Sequence, residues 1–505
     1  MRVVLIAPFF EDFRYPLYFP SENLGLGYLA AVLRDEGIET DIVDANMLGV
    51  RAEELPPYIG ARRYDLVGIA IPFEGAVHEA RRLAETAAAM WPSAHITAGG
   101  HFPTFAHLAL LRADRFIRSV VRQDGEDTLL DLARALETGR DLRTVSGLSF
   151  KTDSGQVVAA PPRRPRDDLD SLPWPARDTL RHVRERGHVW PTQICSSRGC
   201  YAGCAFCDIS VFYEKCWRAR DPVRVVDEIE HLQEEFGSRV FRFTDDQFIG
   251  PPGEDGGRTG PARARRIAQE ITRRRLEVEL MIDARADLVT SDLFEELAAA
   301  GVVDCLVGVE SGVDRILELY YKGTTVRVNE QAIQCLKRLG IHPTVGFIMF
   351  DPRMSLGELR ANYDFLLRND VATAENLKSR LWPLSGTPVV GELREQGLIL
   401  EESLGEVRYR FADAAVGRIF ETVSECARRT FPVEQALFHA RLDGTLSAAQ
   451  SAAMSETILR MWCRILSECL GGASLSALGW VDDTADELRA GLGVPTSKVR
   501  GGRGR

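Results

Sequence analysis

The chain contains two series of short apolar runs that alternate with helical patterns, and a segment rich in proline and charge separates the two series. In the first series, apolar runs typical of buried strands occur at 3–8, 40–43, 66–71, 95–97 and 116–121. Helical patterns lie between them at 24–34, 76–90 and 128–136. Strands and helices that alternate at this spacing predict a parallel, doubly wound sheet.

A hairpin signal and a linker signal end the first series. In GLSFKTDSGQVVAA, the residues Asp153, Ser154 and Gly155 lie between two apolar runs, which is typical of a β-hairpin. The stretch PPRRPRDDLDSLPWPARD then concentrates proline and charge. We therefore predict a first domain over 1–160 and a linker over 161–188.

The second series predicts a partial barrel. Its apolar strand runs lie at 189–194, 240–243, 277–282, 305–309, 344–350 and roughly 377–382. The helical patterns between them lie at 222–236, 262–274, 293–300, 330–339 and 356–367. Six such units with right-handed crossovers predict a partial, TIM-like (β/α)6 barrel over 189–395, with its functional groups at the carboxyl ends of the strands.

The rest of the chain predicts helices alone. Strand signals vanish from about 400, and helical patterns at 416–429 and 456–470 predict a helical C-terminal domain over 396–495. The last residues, 496–505, read as a disordered basic tail.

Composition narrows the functional classes. A net charge of −11 argues against a broad phosphate-binding surface, so we expect no nucleic acid partner. No apolar stretch reaches the ~18 residues that span a bilayer, and the start lacks a signal-peptide core, so we expect a cytoplasmic protein with no membrane partner. Ten cysteines are too sparse for a disulfide scaffold and favour a reducing compartment with one thiolate site.

Three cysteines crowd into eight residues just after the first strand of the second series. Cys200, Cys204 and Cys207 lie on a glycine-containing loop, and thiolates at this spacing can converge on one metal centre. A structural zinc site wants a fourth ligand, and Cys195 or Cys216 would have to supply it. With three thiolates alone, one iron of a four-iron cluster stays open for another ligand.

The string RGCYAGCAFC resembles the CxxxCxxC motif of radical S-adenosylmethionine (SAM) enzymes, and the resemblance extends from about 189 to 388. It implies that Cys200, Cys204 and Cys207 hold a [4Fe-4S] cluster whose fourth iron binds SAM. One-electron reduction then yields a 5′-deoxyadenosyl radical. It also implies that Phe206 packs near the adenine of SAM.

Later strand ends strengthen this resemblance. The SAM contacts that it implies are Asp245, Asp246, Arg285, Glu310, Ser311, Gly386 and Thr387. Arg285 suits the SAM carboxylate because guanidinium binds carboxylate with two parallel hydrogen bonds. The alternatives are a solvated turn or helix cap for the two aspartates and a surface ion pair for Arg285.

The first domain resembles the Rossmann-like cobalamin (B12)-binding domain of one large radical SAM subfamily, and this wider resemblance covers about 1–390. The cobalamin contacts that it implies are Asn23, Leu24, Gly25, Asp44, Asn46, Gly49, Gly99, Gly100 and His101. Asp44, Asn46 and Gly49 have the shape of the DxHxxG motif, with Asn46 where a cobalt-binding histidine would stand. His101 is available as a cobalt ligand, but a histidine after two glycines is more often a hydrogen-bonding loop residue. A retained fold without cofactor is the alternative for the whole domain.

The resemblance implies cobalamin-dependent C-methylation of a small-molecule natural-product intermediate, as in antibiotic biosynthesis. A one-electron reductant such as flavodoxin or ferredoxin would be the protein partner. The alternative is a cobalamin-independent radical dehydratase, epimerase or rearrangement enzyme that acts on a sugar, aminoglycoside or aminocyclitol intermediate. A third hypothesis, a non-catalytic iron–sulfur or zinc protein, is disfavoured by the SAM segments. Tyr320 and Tyr321 could each donate a hydrogen atom or serve only as packing aromatics, and the sequence does not decide between these roles. No residue is assigned as catalytic.

Overall fold

The computed structural model describes residues 1–10, 21–185, 190–253, 260–442 and 444–492. The strands of its N-terminal sheet are β1 (Arg2–Ala7), β2 (Glu39–Asp44), β3 (Leu66–Ala70), β4 (His95–Gly99), β5 (Ser119–Val121), β6 (Leu148–Lys151) and β7 (Val157–Ala159). They lie in the order β2-β1-β3-β4-β5-β6-β7. The first five pair in parallel, and β6 and β7 form the predicted antiparallel hairpin. The doubly wound sheet is therefore confirmed.

Helices cover both faces of this sheet. They are α1 (Leu24–Asp35), α2 (Ala45–Leu48), α3 (Pro56–Ile59), α4 (Val77–Met90), α5 (His101–Ala113) and α6 (Glu126–Thr138). One apolar core lies under α4 and α5, and a second lies under α1 and α6. Because β1 lies between β2 and β3, the strand order reverses beside it, and ligands of such sheets bind at this reversal, outside the carboxyl ends of the strands.

The segment predicted to be a linker contains helix α7 (Asp178–Glu185), and a second parallel sheet follows it. The strands of this part are β8 (Thr192–Ile194), β9 (Ser197–Arg198), β10 (Arg218–Ala219), β11 (Val240–Phe243), β12 (Glu279–Arg285), β13 (Val302–Glu310) and β14 (His342–Phe347). Five of them form a parallel sheet in the order β14-β13-β12-β11-β8, and β9 pairs with β10. The helices are α8 (Ile209–Phe212), α9 (Pro222–Phe236), α10 (Gly260–Arg274), α11 (Ser291–Ala299), α12 (Asp314–Leu319), α13 (Val326–Arg338), α14 (Leu356–Arg368), α15 (Ala374–Lys378) and α16 (Pro388–Glu395).

The sixth barrel strand, predicted at 377–382, is reduced to a single bridge between Phe350 and Arg380. The start of that stretch belongs instead to α15, where the Thr373 side chain accepts a hydrogen bond from the backbone of Asn376. A side chain that caps a helix in this way favours helix over strand at the residues that follow. Among the residues that the structure describes, the barrel therefore has five regular strands and a residual sixth.

The C-terminal region begins with a hairpin that the sequence analysis did not predict. Its strands are β15 (Ile399–Ser403) and β16 (Glu406–Tyr409), so strands do not vanish at 400. The predicted helices follow as α17 (Ala414–Leu442), α18 (Ala448–Leu470) and α19 (Trp480–Gly491). These helices share one continuous apolar core with the barrel. The predicted tail at 496–505 lies outside the described residues.

In the part of the chain that the structure describes, no helix combines the length and the apolar character needed to cross a bilayer.

Candidate functional site

The three clustered cysteines lie on the loop between β9 and α8. Cys204 is buried, whereas Cys200 and Cys207 are partly exposed. Burial raises the pKa of the Cys200 and Cys207 thiols, and the neighbouring Cys204 contributes to the increase at both. The three thiols are therefore close enough to influence one another electrostatically.

The donor set fits a four-iron cluster better than a zinc site. The Cys195 thiol donates to the Ser197 carbonyl at 3.3 Å, and burial raises its pKa to about 11, so it is a protonated core thiol. Cys216 is exposed. Nowhere in the described ranges do three His, Cys, Asp or Glu side chains form a group that could hold a single metal ion. A four-iron cluster instead binds each thiolate through a different iron, so its three protein ligands need not meet at one point.

A buried ion pair lies beside Cys204. Lys322 Nζ lies 2.8 Å from Glu310 Oε1, and both side chains are buried. Burial opposes the charge of Lys322, but Glu310 and then Cys204 outweigh this effect and raise the pKa of the lysine. The Arg285 guanidinium donates to the Lys322 carbonyl at 2.8 Å and pairs with Asp287 at 3.0 Å. Two cations thus flank the cysteine loop, where an anionic group such as a carboxylate would be stabilised.

The GVESG segment leaves room for this pair. A Cβ at Gly308 would lie 2.6 Å from Lys322 Nζ and 2.8 Å from Glu310 Oε1, so a larger residue there would displace the ends of these two side chains. Ser311 is fully buried, and its hydroxyl donates to Asn362 Oδ1 at 2.9 Å. The structure therefore gives Ser311 a packing role and does not expose its side chain as the expected SAM contact.

Replacing Lys322 by methionine is expected to destabilise the protein strongly, because it leaves the Glu310 charge buried without its partner. Breaking a buried pair in this way costs about 3–5 kcal/mol. Urea denaturation followed by tryptophan fluorescence measures the loss, and E310Q combined with K322M should recover most of it. Lys337→Met is the matched control, since its partner Asp370 is 99% exposed and such pairs contribute at most about 1 kcal/mol. Equal losses in the two single variants would contradict the argument.

The two aspartates after β11 have different surroundings. Asp245 is fully buried and accepts hydrogen bonds from the Ser196 backbone at 2.7 Å and from the hydroxyls of Ser196 and Ser197. These hydrogen bonds anchor the residues that follow β8, and the role of Asp245 as a SAM contact stays a prediction. Asp246 accepts a hydrogen bond from the Gly199 backbone at 3.0 Å and lines a cavity, and burial raises its pKa to about 6.

This cavity of about 340 Å³ lies between the N-terminal sheet and the cysteine loop. Six residues expected to contact cobalamin line it: Asn23, Leu24, Gly25, Gly99, Gly100 and His101. Its apolar floor includes Leu5 and Ile69, from the neighbouring strands β1 and β3. The barrel contributes Ser197, Arg198, Phe212, Tyr213 and Asp246. The cavity therefore occupies the place where the topology predicts a ligand.

Three expected cobalamin contacts do not line this cavity. Asp44 is the last residue of β2, which is the edge strand of the sheet, and Asn46 and Gly49 follow it. The Asp44 carboxylate is buried and accepts from the backbones of Met47 and Asn23, at 3.1 and 3.2 Å. Asn46 is exposed, and Gly49 ends α2 at a φ of 66°. Asp44 and Gly49 cap a short helix, and the role of all three residues as cobalamin contacts stays a prediction.

The turn around Gly386 packs between the domains. Gly386 has a φ of 84°, and a Cβ there would lie 2.5 Å from the Phe105 ring. The Thr387 hydroxyl donates to the Leu384 carbonyl at 2.6 Å. Val389 donates from its backbone to the Ala205 carbonyl at 3.0 Å, so the turn is tied directly to the cysteine loop.

Two aromatic residues near the loop, Phe206 and Tyr320, pack against each other. Phe206 is partly buried, with its ring centroid 5.0 Å from that of Tyr320. The Tyr320 hydroxyl is buried and donates to Asp351 at 2.9 Å, which favours the packing role for this tyrosine. Tyr321 is exposed and donates to Glu392.

Sequence reasoning missed the charged residues that join the domains. Arg198 and Arg218 from the barrel contact Asp124 and Glu126 from the N-terminal domain, and Arg198, Asp124 and Glu126 line the cavity. The available signal was an arginine two residues before the first clustered cysteine, on a short strand that has little reason to carry an isolated charge.

The open interior of the barrel carries a further charged pair. Along β12, Leu280, Ile282 and Ala284 are buried among the helices, so the alternate residues face the interior. One of them, Asp283, lies 2.5 Å from Arg242 of β11. Burial raises the pKa of Asp283 to about 7 against the opposing effect of Arg242.

Comparisons with known proteins agree with this arrangement. A model described as the B12 binding domain matches residues 16–133, and a model described as the Radical SAM superfamily matches residues 194–366. An uncharacterized methyltransferase of Pyrococcus horikoshii is 28% identical over 377 residues, which cover 74% of this chain and 80% of that protein. The anaerobic magnesium-protoporphyrin IX monomethyl ester cyclase of Cereibacter sphaeroides is 27% identical over 467 residues, which cover 88% and 72%.

A solved structure shows the same fold. The cobalamin-dependent S-adenosylmethionine radical enzyme OxsB with aqua-cobalamin bound has a TM-score of 0.75 and 21% sequence identity. The match covers 97% of this chain and 80% of that one.

Proposed function

This chain belongs to the radical SAM superfamily, in the group whose barrel follows a B12-binding domain, and from that premise we propose that it catalyses cobalamin-dependent C-methylation of a small molecule. Cobalamin, SAM and a [4Fe-4S] cluster are its cofactors. When bound, the cluster supplies the electron that cleaves SAM, and cobalamin carries the methyl group.

The main support for the proposal is that the cavity lies next to the three cysteines. The cavity at the carboxyl ends of β1 and β3 shares its wall with the segment that leads into the three cysteines. Arg198, which lines this cavity, lies two residues before Cys200. A group in the cavity and a group on the cysteines would therefore be neighbours, which methyl transfer to a carbon radical requires.

The proposed residue roles follow from charge and position. Cys200, Cys204 and Cys207 would hold the cluster, and the cations of Lys322 and Arg285 beside Cys204 suit the carboxylate of SAM.

The overall reaction balances with an external electron donor. Two SAM molecules, one substrate C–H bond and two electrons give the methylated product, 5′-deoxyadenosine, methionine and S-adenosylhomocysteine. We propose a reductant such as flavodoxin or ferredoxin as the source of the electrons, and a natural-product intermediate as the substrate. The charged interior pair of Arg242 and Asp283 favours a polar substrate.

Radical chemistry without methyl transfer is the second candidate. It is favoured by one observation, the similarity to a cyclase over 88% of this chain. Such a reaction would use the same cysteines and the same radical but would yield no S-adenosylhomocysteine.

The test uses protein purified without oxygen, supplied with hydroxocobalamin and reconstituted with iron and sulfide. About four irons per chain, together with one cobalt, are expected. With reductant and SAM labelled in its methyl group, extracts of candidate substrates should take up label while S-adenosylhomocysteine and 5′-deoxyadenosine accumulate. Deoxyadenosine without S-adenosylhomocysteine would favour the second candidate, and four irons without cobalt would overturn the methyltransferase proposal.

A further inference from the structure

The loop that carries the three cysteines is held at both of its ends by the N-terminal domain. We name these two sets of contacts the entry clamp, before Cys200, and the exit clamp, after Cys207. Each clamp joins a residue next to the loop to a residue that lines the cavity described above.

The entry clamp is a buried ion network. Arg198 contacts Glu126 at 2.7 Å and Asp124 at 3.2 Å, and Arg218 contacts Asp124 at 2.8 Å. At most 14% of any of these four side chains is exposed. The Arg198 guanidinium also lies 5.0 Å from the Tyr28 ring. Buried pairs of this kind have little tolerance for rearrangement, because moving one partner strands a charge.

The backbone between the entry clamp and Cys200 is closely packed and hydrogen-bonded. Gly199 has a φ of 85°, and a Cβ there would lie 2.2 Å from the Cys216 carbonyl. Its N–H donates to Asp246 at 3.0 Å, and Asp246 lines the cavity as well. A shift of Arg198 is therefore transmitted to Cys200.

The exit clamp follows the third cysteine directly. Asp208 Oδ2 lies 3.0 Å from His101 Nδ1. The His101 ring stacks on Phe212, with 4.2 Å between centroids and 12° between planes. His101 begins α5, directly after the two glycines that line the cavity, so the loop end and the cavity wall share one side chain.

We propose that these clamps couple the two cofactor sites, so that the cluster raises the affinity for cobalamin and cobalamin raises retention of the cluster. This rests on the proposed function, which places cobalamin in the cavity and the cluster on the cysteines. An ordered loop fixes Arg198 and Asp208, and these fix the cavity wall formed by Glu126 and His101. Coupling between sites is reciprocal by necessity, and typical values change each affinity about 5- to 150-fold.

The first test needs no substitution. The dissociation constant of hydroxocobalamin is measured for reconstituted protein and for the same protein stripped of iron. We expect binding to be about 10-fold tighter with the cluster present. In the reverse direction, more iron should remain on the protein at a fixed chelator concentration when hydroxocobalamin is present.

Variants assign the coupling to the clamps. Glu126→Gln and Asp208→Asn keep side-chain shape and remove one charge from each clamp, so the ratio of the two dissociation constants should fall towards one. Glu36→Gln, which breaks the exposed pair with Arg134 on the same domain, should leave the ratio unchanged. A purely structural role for the clamps would lower the melting temperature without changing this ratio.

The outcomes are distinguishable. Equal hydroxocobalamin affinity with and without the cluster in the unsubstituted protein overturns the coupling alone. If both clamp variants fold and retain the full ratio, the coupling does not pass through the clamps, and the proposal is overturned. No hydroxocobalamin binding in either form overturns the cobalamin assignment on which the coupling rests.

Discussion

Alanine at Cys204 is expected to abolish formation of 5′-deoxyadenosine and to lower the iron content of the reconstituted protein well below about four per chain. Cys204 is the most buried of the three clustered cysteines. It contributes to the raised pKa values of Lys322, Arg285 and both other thiols. Substitutions around a metal centre already cost about 10- to 100-fold, so loss of a direct ligand should cost at least about 100-fold in deoxyadenosine formation. Iron analysis and chromatography of the reaction mixture measure both effects.

Cys463→Ala is the control for this substitution. Cys463 is partly buried in α18, far along the chain from the cysteine loop, and should retain full iron content. Unchanged iron and deoxyadenosine in the Cys204→Ala protein would remove the cluster from this loop.

Leucine at Gly99 is expected to weaken cobalamin binding while it leaves the cluster in place. Gly99 lines the cavity, and a Cβ there would meet only Val121, at 3.6 Å and beyond, so the backbone accepts a side chain that then projects among the lining residues. Forcing extra atoms into a packed site costs about 1–3 kcal/mol, which corresponds to a loss of about 5- to 150-fold in affinity. Titration with hydroxocobalamin measures the loss.

A graded series separates blocking of the cavity from damage to the fold. Gly99→Ala adds one carbon at an ordinary contact distance and should bind nearly as well as the unsubstituted protein. Measured without a chelator, the iron content of both variants should match that of the unsubstituted protein, because coupling through the clamps changes cluster retention only where a chelator competes for the iron. Full binding by Gly99→Leu would remove cobalamin from this cavity.

The sequence predicts the strands of both sheets well, because buried parallel strands are continuous apolar runs with sharp ends. It fails where local chemistry competes with the pattern. The stretch at 377–382 is apolar enough for a strand, but Thr373 caps the helix α15, which extends into the beginning of this stretch. Helix α5 escapes prediction because Pro103 suggests a loop, although a proline in the first turn removes only an N–H without a helical partner.

In the candidate site too, the sequence identifies what a local pattern determines and misses what depends on distant residues. A local motif identifies the three cysteines, since spacing on one loop decides whether thiolates can converge. Asp44 and Asn46 match a motif by spacing, yet Asp44 ends an edge strand and Asn46 follows it, and only the strand order shows that this strand is at the edge. Arg198 and Glu126 escape detection because the partner of a buried charge lies 72 residues away, and no local pattern reports it.

The distribution of apolar cores has a consequence for the ancestry of the molecule. The N-terminal sheet has two cores of its own, whereas the C-terminal helices are built into the core of the barrel. Recombination could therefore exchange the N-terminal domain as a unit, provided that the incoming domain brought acids to meet Arg198 and Arg218. The C-terminal helices have no such freedom and must evolve in step with the barrel, residue by residue.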